Sequence, residues 1–340
     1  MRPNRSSATI LGLALAVLAV AAGCGEKDET TAGGSTEPFS LALDFYVNPD
    51  HAGIYTALER DFFEQAGLDV QPQVPSDPSA PIKQVAAERV DLAISYEPEV
   101  VLARDQGLPV VAVAALVPSP LTSLISLPEA GVKEVADLRG KTVATAGIPY
   151  QTDFLETMLE EAGVPPEDVE QVDVGLNLLP AILSGRADAI LGGFLNVEGV
   201  DLEERGKNPR VIPVDELGVP TYDELVLVAN SERVADDPEA IRLFIASLER
   251  GTRAAVDDPV AATDAVLAAG EGLDPKLTMA EVERTLPLLL PDTGNRPYGY
   301  MDPAEWEAFA GFFADRGLIE RRPSADDLLS NELLPGEIPD

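Results

Sequence analysis

The chain of 340 residues holds one cysteine, one histidine and one tryptophan. A single cysteine cannot close an internal disulfide, and one histidine beside it does not make the His and Cys sets from which zinc sites are built. No metal and no cofactor are expected. Cationic side chains are scarce as well: 24 Lys and Arg stand against 59 Asp and Glu, a formal charge of −35. A surface of that sign repels phosphate backbones and anionic lipids, which disfavours nucleic-acid binding and charge-driven membrane adhesion. Phosphate-binding loops are also missing. Gly140-Lys141-Thr142 has Val135 where such a loop needs its first glycine, and Gly192-Gly193 lacks the rest of a dinucleotide fingerprint. No nucleophile elbow occurs, and no cysteine beyond Cys24 offers a thiol.

What is present begins with a leader. Arg2 and Arg5 precede an uncharged apolar run over 10–22, shorter than the roughly 20 residues that span a bilayer. A basic start, a short apolar run and small residues before Cys24 read as a signal peptide over residues 1–23. Ala21-Ala22-Gly23-Cys24 resembles a bacterial lipobox, so Cys24 is expected to carry lipid, and residues 24–38, rich in Thr, Gly, Ser and charge, to form a flexible tether. The folded part then lies on the extracytoplasmic face of the cell membrane and touches it only through the anchor.

The remaining 300 or so residues suffice for two domains, and their pattern alternates short β-branched runs with amphipathic stretches. Strands are expected over 39–46, 68–73, 91–95 and 109–117, with helices over 51–66, 80–88 and 97–106 between them. A second series places strands at 141–146, 169–174, 187–191 and 210–214, and helices at 152–162 and 178–184. Such βαβ succession implies mostly parallel sheets with helices on both faces, an α/β class. Two extended apolar runs, 121–127 and 224–229, read as the segments that carry the chain into a second lobe and back. Residues 39–120 with 230–320 form one lobe, and 121–229 with the crossovers form the other. Helices opened by prolines follow at 238–256, 259–269, 279–288 and 303–316. Residues 321–340, acidic and broken by prolines, are expected to be an extended tail.

Loops at the strand ends carry the candidate site, because crevices in open α/β sheets lie beyond the carboxyl ends of strands. Phe45, Tyr46, Asn48 and His51 crowd the first such loop, where Asn48-Pro49-Asp50 can also cap a helix. Ser95, Tyr96 and Glu97 follow the third strand. Tyr150 lies in Gly147-Ile148-Pro149-Tyr150-Gln151, Asn196 and Glu198 follow another strand, and Tyr222 precedes the return crossing. Trp306 reads as a packing residue. Aromatic faces with amide and carboxylate edges suit a flat, polar ring.

Together Asn48-Pro49-Asp50-His51-Ala52-Gly53-Ile54-Tyr55, Ala93-Ile94-Ser95-Tyr96-Glu97-Pro98-Glu99, Gly147-Ile148-Pro149-Tyr150-Gln151, Asn196-Val197-Glu198-Gly199 and Val219-Pro220-Thr221-Tyr222-Asp223-Glu224 resemble the substrate-binding lipoproteins of ABC importers for thiamine-pyrimidine precursors. The resemblance implies a two-lobe periplasmic-binding-protein (type II) fold with a ligand cleft between lobes. It also implies a monomeric, non-catalytic receptor that hands an aminopyrimidine to a membrane permease. Relatives often carry other aromatics at 45 and 46 and an aromatic at Leu195. Another small heterocycle, flavin-like, or a sulfonate or nitrate are the alternative ligands, although no Arg or Lys stands in the pocket motifs. Fungal thiamine-pyrimidine synthases share the superfamily and supply an enzyme alternative. Their lysine and histidine positions correspond here to Ser95 and Glu99, and their cysteine cluster has no counterpart, so the covalent chemistry lacks its nucleophile.

Overall fold

The computed structural model describes residues 37–291 and 294–336. Cys24, residues 1–23 and most of the expected tether lie outside that range. Among the described residues ten strands form two five-stranded sheets. The first joins β1 (Glu37–Ala42), β2 (Leu68–Gln73), β3 (Leu92–Ser95), β4 (Val110–Val117) and, much later in the chain, β10 (Leu225–Asn230), in the order β2-β1-β3-β10-β4. The second contains β5 (Thr122–Ser126), β6 (Thr142–Thr145), β7 (Glu170–Asp173), β8 (Ala189–Phe194) and β9 (Arg210–Pro213), in the order β7-β6-β8-β5-β9. In each sheet four strands run the same way, and one reversed strand is inserted between two of them: β10 between β3 and β4, and β5 between β8 and β9. Strands β3, β4, β5 and β10 are buried along their whole length. Their continuous Val, Ile, Leu and Ala runs are what two-sided burial requires.

The extended runs read as crossovers are themselves strands: 121–127 is mostly β5 of the second sheet, and 224–229 is mostly β10 of the first. The chain passes between sheets in shorter pieces, 118–121 and 218–224. Glu224 stitches the two passages together. Its Oε2 accepts the amides of Leu121 and Thr122 at 2.6 and 2.7 Å and the Tyr222 hydroxyl at 3.0 Å, while Oε1 accepts the Thr122 hydroxyl at 2.9 Å. Next to it the Trp306 indole donates to Asp223 Oδ2 at 2.7 Å, and the Asp223 amide donates to Glu97 Oε2 at 2.7 Å. The helix Pro303–Asp315 thus braces the hinge, with Phe309 packed on Tyr222 and Phe154.

Other departures from the sequence reading have local causes. The single helix expected over 51–66 is a turn at Pro49–His51 followed by helices Ala52–Glu59 and Phe62–Gln65, separated where Asp61 adopts a left-handed φ of 56°. The expected tail packs instead of trailing. A helical turn, Ala325–Leu328, leads to a parallel bridge between Leu329 and Ala112, and Leu333 and Leu334 are buried. This covers the outer edge of β4, which would otherwise present unpaired backbone groups.

Helix Ala52–Glu59 lies against helix Pro238–Asp257 through glycines on both sides. A Cβ on Gly251 would overlap the Gly53 carbonyl oxygen and the Ala57 Cβ, and one on Gly53 would overlap the Thr252 hydroxyl. Backbone cannot rotate away as a side chain can. Gly251→Ala should therefore destabilise the fold by about 1–3 kcal/mol through forced separation of the helices, read as a shift in the urea midpoint; an unchanged midpoint would show that the pair yields freely.

Candidate functional site

Four strand ends meet at one cavity between the sheets, with about 370 Å³ of empty space. The loop after β1 contributes Asp44, Phe45 and Asn48, and β3 is followed by Tyr96. From the second lobe come Ile148, Tyr150 and Gln151 after β6, Gly192 and Phe194 on β8, and Val197 and Glu198 at the start of helix Glu198–Glu204. Phe45, Tyr96, Tyr150 and Phe194 make the walls aromatic, with Tyr96 and Tyr150 ring centres 5.5 Å apart. No Lys or Arg lines the cavity, whereas two carboxylates do: Asp44 from one lobe and Glu198 from the other.

Asp44 is 1% exposed and doubly held. His51 Nε2 lies 2.9 Å from Oδ1, and the Tyr96 hydroxyl donates to Oδ2 at 3.0 Å. The tautomer follows from a third bond. The Asn48 amide, which can only donate, points at His51 Nδ1 at 3.3 Å, so the ring proton sits on Nε2 and is donated to Asp44. Burial pushes the Tyr96 and Tyr150 phenols well above their ordinary range, which keeps both as donors. Each Asp44 oxygen has one such partner.

Glu198 is built differently. Its Oε2 accepts the Phe194 amide at 2.8 Å and its Oε1 the Tyr46 hydroxyl at 3.3 Å. Burial raises its carboxyl above the usual range, and those two donors with its own amide pull it back. Tyr46 comes from the first lobe, so this bond spans the cleft. Gln151 is anchored by the Ala146 amide, which donates to its Oε1 at 2.9 Å and leaves the side-chain NH₂ over Gly192. Gly192 has φ of +102°, and a Cβ there would strike that NH₂ group. Glycine is thus required both by the backbone and by the amide.

Of the residues read from sequence, Phe45, Asn48, Tyr96, Tyr150 and Glu198 line the cavity. Asn48 also makes the cap, accepting the Asp50 amide at 2.8 Å. The others stand behind or beside it. His51 is fully buried and orients Asp44, Tyr46 supports Glu198, and the Ser95 hydroxyl donates to Glu99 at 2.5 Å. Asn196 donates to Asp50 and to Thr285, both at 2.8 Å, and so ties the lobes together away from the cavity. Glu97 and Tyr222 belong to the hinge rather than to the site. Asp44, Gln151, Gly192 and Phe194 were missed as site residues. A charge set within the apolar run Leu41-Ala42-Leu43-Asp44-Phe45 was the available signal for Asp44, because a buried carboxylate needs partners.

Two α/β lobes joined by two short passages, with a cavity at the strand ends between them, define the architecture of periplasmic binding proteins. The alkanesulfonate-binding protein SsuA from Xanthomonas axonopodis pv. citri bound to MOPS superposes with a TM-score of 0.68 at 16% identity, over 86% of this chain and 98% of that one. A model of the NMT1/THI5-like family matches residues 48–262, and the chain belongs to that family. The formylaminopyrimidine-binding protein of Halalkalibacterium halodurans is 35% identical over 324 residues, 95% of this chain and 98% of that protein. A 4-amino-5-hydroxymethyl-2-methylpyrimidine phosphate synthase of Saccharomyces cerevisiae is 26% identical over 239 residues, covering 67% and 70% of the two chains.

Proposed function

We propose that the protein is the solute receptor of an ABC importer and holds an aminopyrimidine related to the thiamine precursor between its lobes. One observation carries the reading: two buried carboxylates from opposite lobes, Asp44 and Glu198, face an aromatic-walled cavity that no cation lines. An aminopyrimidine offers an exocyclic amino group and a ring nitrogen that can be protonated, so each carboxylate gains a charge-assisted donor when the lobes close on the ring. Phe45, Tyr96 and Tyr150 enclose its faces. The name of the 35%-identical relative agrees with this ligand class. A sulfonate or nitrate would meet two like charges and no counter-ion.

The receptor reading involves no catalysis. Ser95 and Glu99, at the positions corresponding to the synthases' lysine and histidine, hydrogen-bond each other in the first lobe and do not line the cavity. Delivery to a membrane permease, attachment through lipidated Cys24 on the extracytoplasmic face and a monomeric state complete the proposal.

Calorimetric titration of the purified domain with aminopyrimidines, flavins and oxyanions tests the ligand class. Tight oxyanion binding with no response to pyrimidines would overturn it. Glu198→Gln should weaken aminopyrimidine binding about ten- to a hundred-fold, since a charge-assisted bond contributes roughly 1.5–3 kcal/mol, while the melting temperature of the free protein stays almost unchanged. Unaltered affinity would remove Glu198 from the site and leave Asp44 as the anchoring carboxylate.

A further inference from the structure

A second cavity, open to solvent and with about 650 Å³ of empty space in and before it, lies beside the first and shares Asn48 and Val197 as common wall. It too is built from both lobes: Tyr46, Leu273, Leu277 and Glu281 face Leu179, Asp201 and Arg205. Its acidic members are not equivalent. Asp201 is paired with Arg205, and Asp274 caps helix Pro275–Leu289 by accepting the Leu277 amide at 2.9 Å. Glu281, on that same helix, is only 7% exposed and makes no hydrogen bond or ion pair among the described residues, although it lines open space. A side chain this buried, whose carboxylate opens only onto the cavity it lines and has no partner among the described residues, can take a donor there.

We propose that this second cavity is a subsite for an organic ammonium group, with the Glu281 carboxylate as its counter-ion. The inference rests on the pyrimidine reading only where the ammonium is an arm of the ring bound next door; a separate amine would use the same chemistry. The surroundings favour a cation. Burial opposes a negative charge on Glu281 most, Asp201, Glu198 and Asp50 add to the opposition and Arg205 favours the charge, so its carboxyl is pushed up to about 8. An entering ammonium supplies the positive charge that this cluster lacks. Leu179, Leu273 and Leu277 would cover a short methylene arm.

Glu281→Gln keeps the shape and breaks no bond of the free protein, so it isolates the charge. Wild type and variant are titrated with three probes: an aminomethyl-substituted aminopyrimidine, its neutral N-formyl amide, and benzylammonium, which has no pyrimidine edge. The expected result is that the substitution weakens the aminomethyl compound about tenfold or more, as loss of a charge-assisted bond requires, and leaves the N-formyl amide within about twofold. Loss of benzylammonium binding alone would assign the subsite to a separate amine. If no ammonium probe binds wild type, or all bind both proteins equally, the subsite is refuted, while binding of the N-formyl amide keeps the pyrimidine reading. If neither pyrimidine binds but benzylammonium depends on Glu281, the pyrimidine reading falls and the subsite stands.

Discussion

Replacing Glu224 by alanine should cost about 3–5 kcal/mol of stability, because it strands buried donors of both crossovers at once. Two backbone amides and two hydroxyls converge on this one carboxylate, and Thr122 and Tyr222 are 0% and 3% exposed, so water cannot replace the lost acceptor. Glutamine at the same position should cost no more than about 1 kcal/mol. Its oxygen can take the amides while its NH₂ donates to the Thr122 hydroxyl. Urea unfolding of both variants measures the contrast. An alanine variant as stable as the glutamine one would show that the hinge does not depend on this acceptor.

Stability should also rise as the medium is acidified from pH 8 to about pH 5. Burial pushes the Glu99 carboxyl to about 7, and Asp223 and Glu224 to about 7 as well, while Glu97 beside Asp223 is raised in the same direction. Each group therefore holds its proton more tightly folded than unfolded. Across the window from about pH 4 to about pH 7 the native state binds more protons, and stability falls as pH rises through it. The contribution is complete below the unfolded values and gone above about 7. At about 1.4 kcal/mol per pKa unit, a displacement from 4.5 to about 7 is worth roughly 3 kcal/mol for a fully buried group such as Glu99 or Glu224. Several such groups acting together should raise the melting temperature by on the order of 10 °C, and the formal charge of −35 adds to the trend by self-repulsion at high pH. Calorimetric scans at pH 5 and pH 8 decide the matter; a melting temperature higher at pH 8 would contradict it.

Local signals carried most of the fold. β2 and the helix Pro259–Ala269 fall on the residues that alternation and proline placement indicate, and the prolines at 238, 259 and 303 open helices as expected. Asp61 escaped because neither glycine nor proline marks its left-handed turn. The passages between lobes were displaced by a few residues for a different reason. An apolar extended run looks the same whether it crosses between sheets or inserts into one, and only the long-range pairing of β10 with β3 and β4 distinguishes them. The site shows the same division. Strand-end loops were recognisable by their aromatics and glycines, but which side chain faces the cavity depends on partners far away. His51 reaches Asp44 across 7 residues, Tyr96 across 52, and Tyr46 meets Glu198 across 152.

The position of β10 has a consequence for the order in which this chain can acquire its structure. Every strand of the second sheet lies between residues 122 and 213, so that lobe is complete in sequence before the ribosome has passed the return crossing. The first sheet has a gap between β3 and β4 that only residues 225–230 can fill. The lobe that begins the chain must therefore finish last, holding apolar strand edges unpaired while more than a hundred residues are made and folded. A lobe so assembled is the part that would depend most on assistance during folding, and the long-range closure by β10 is where refolding should be slowest.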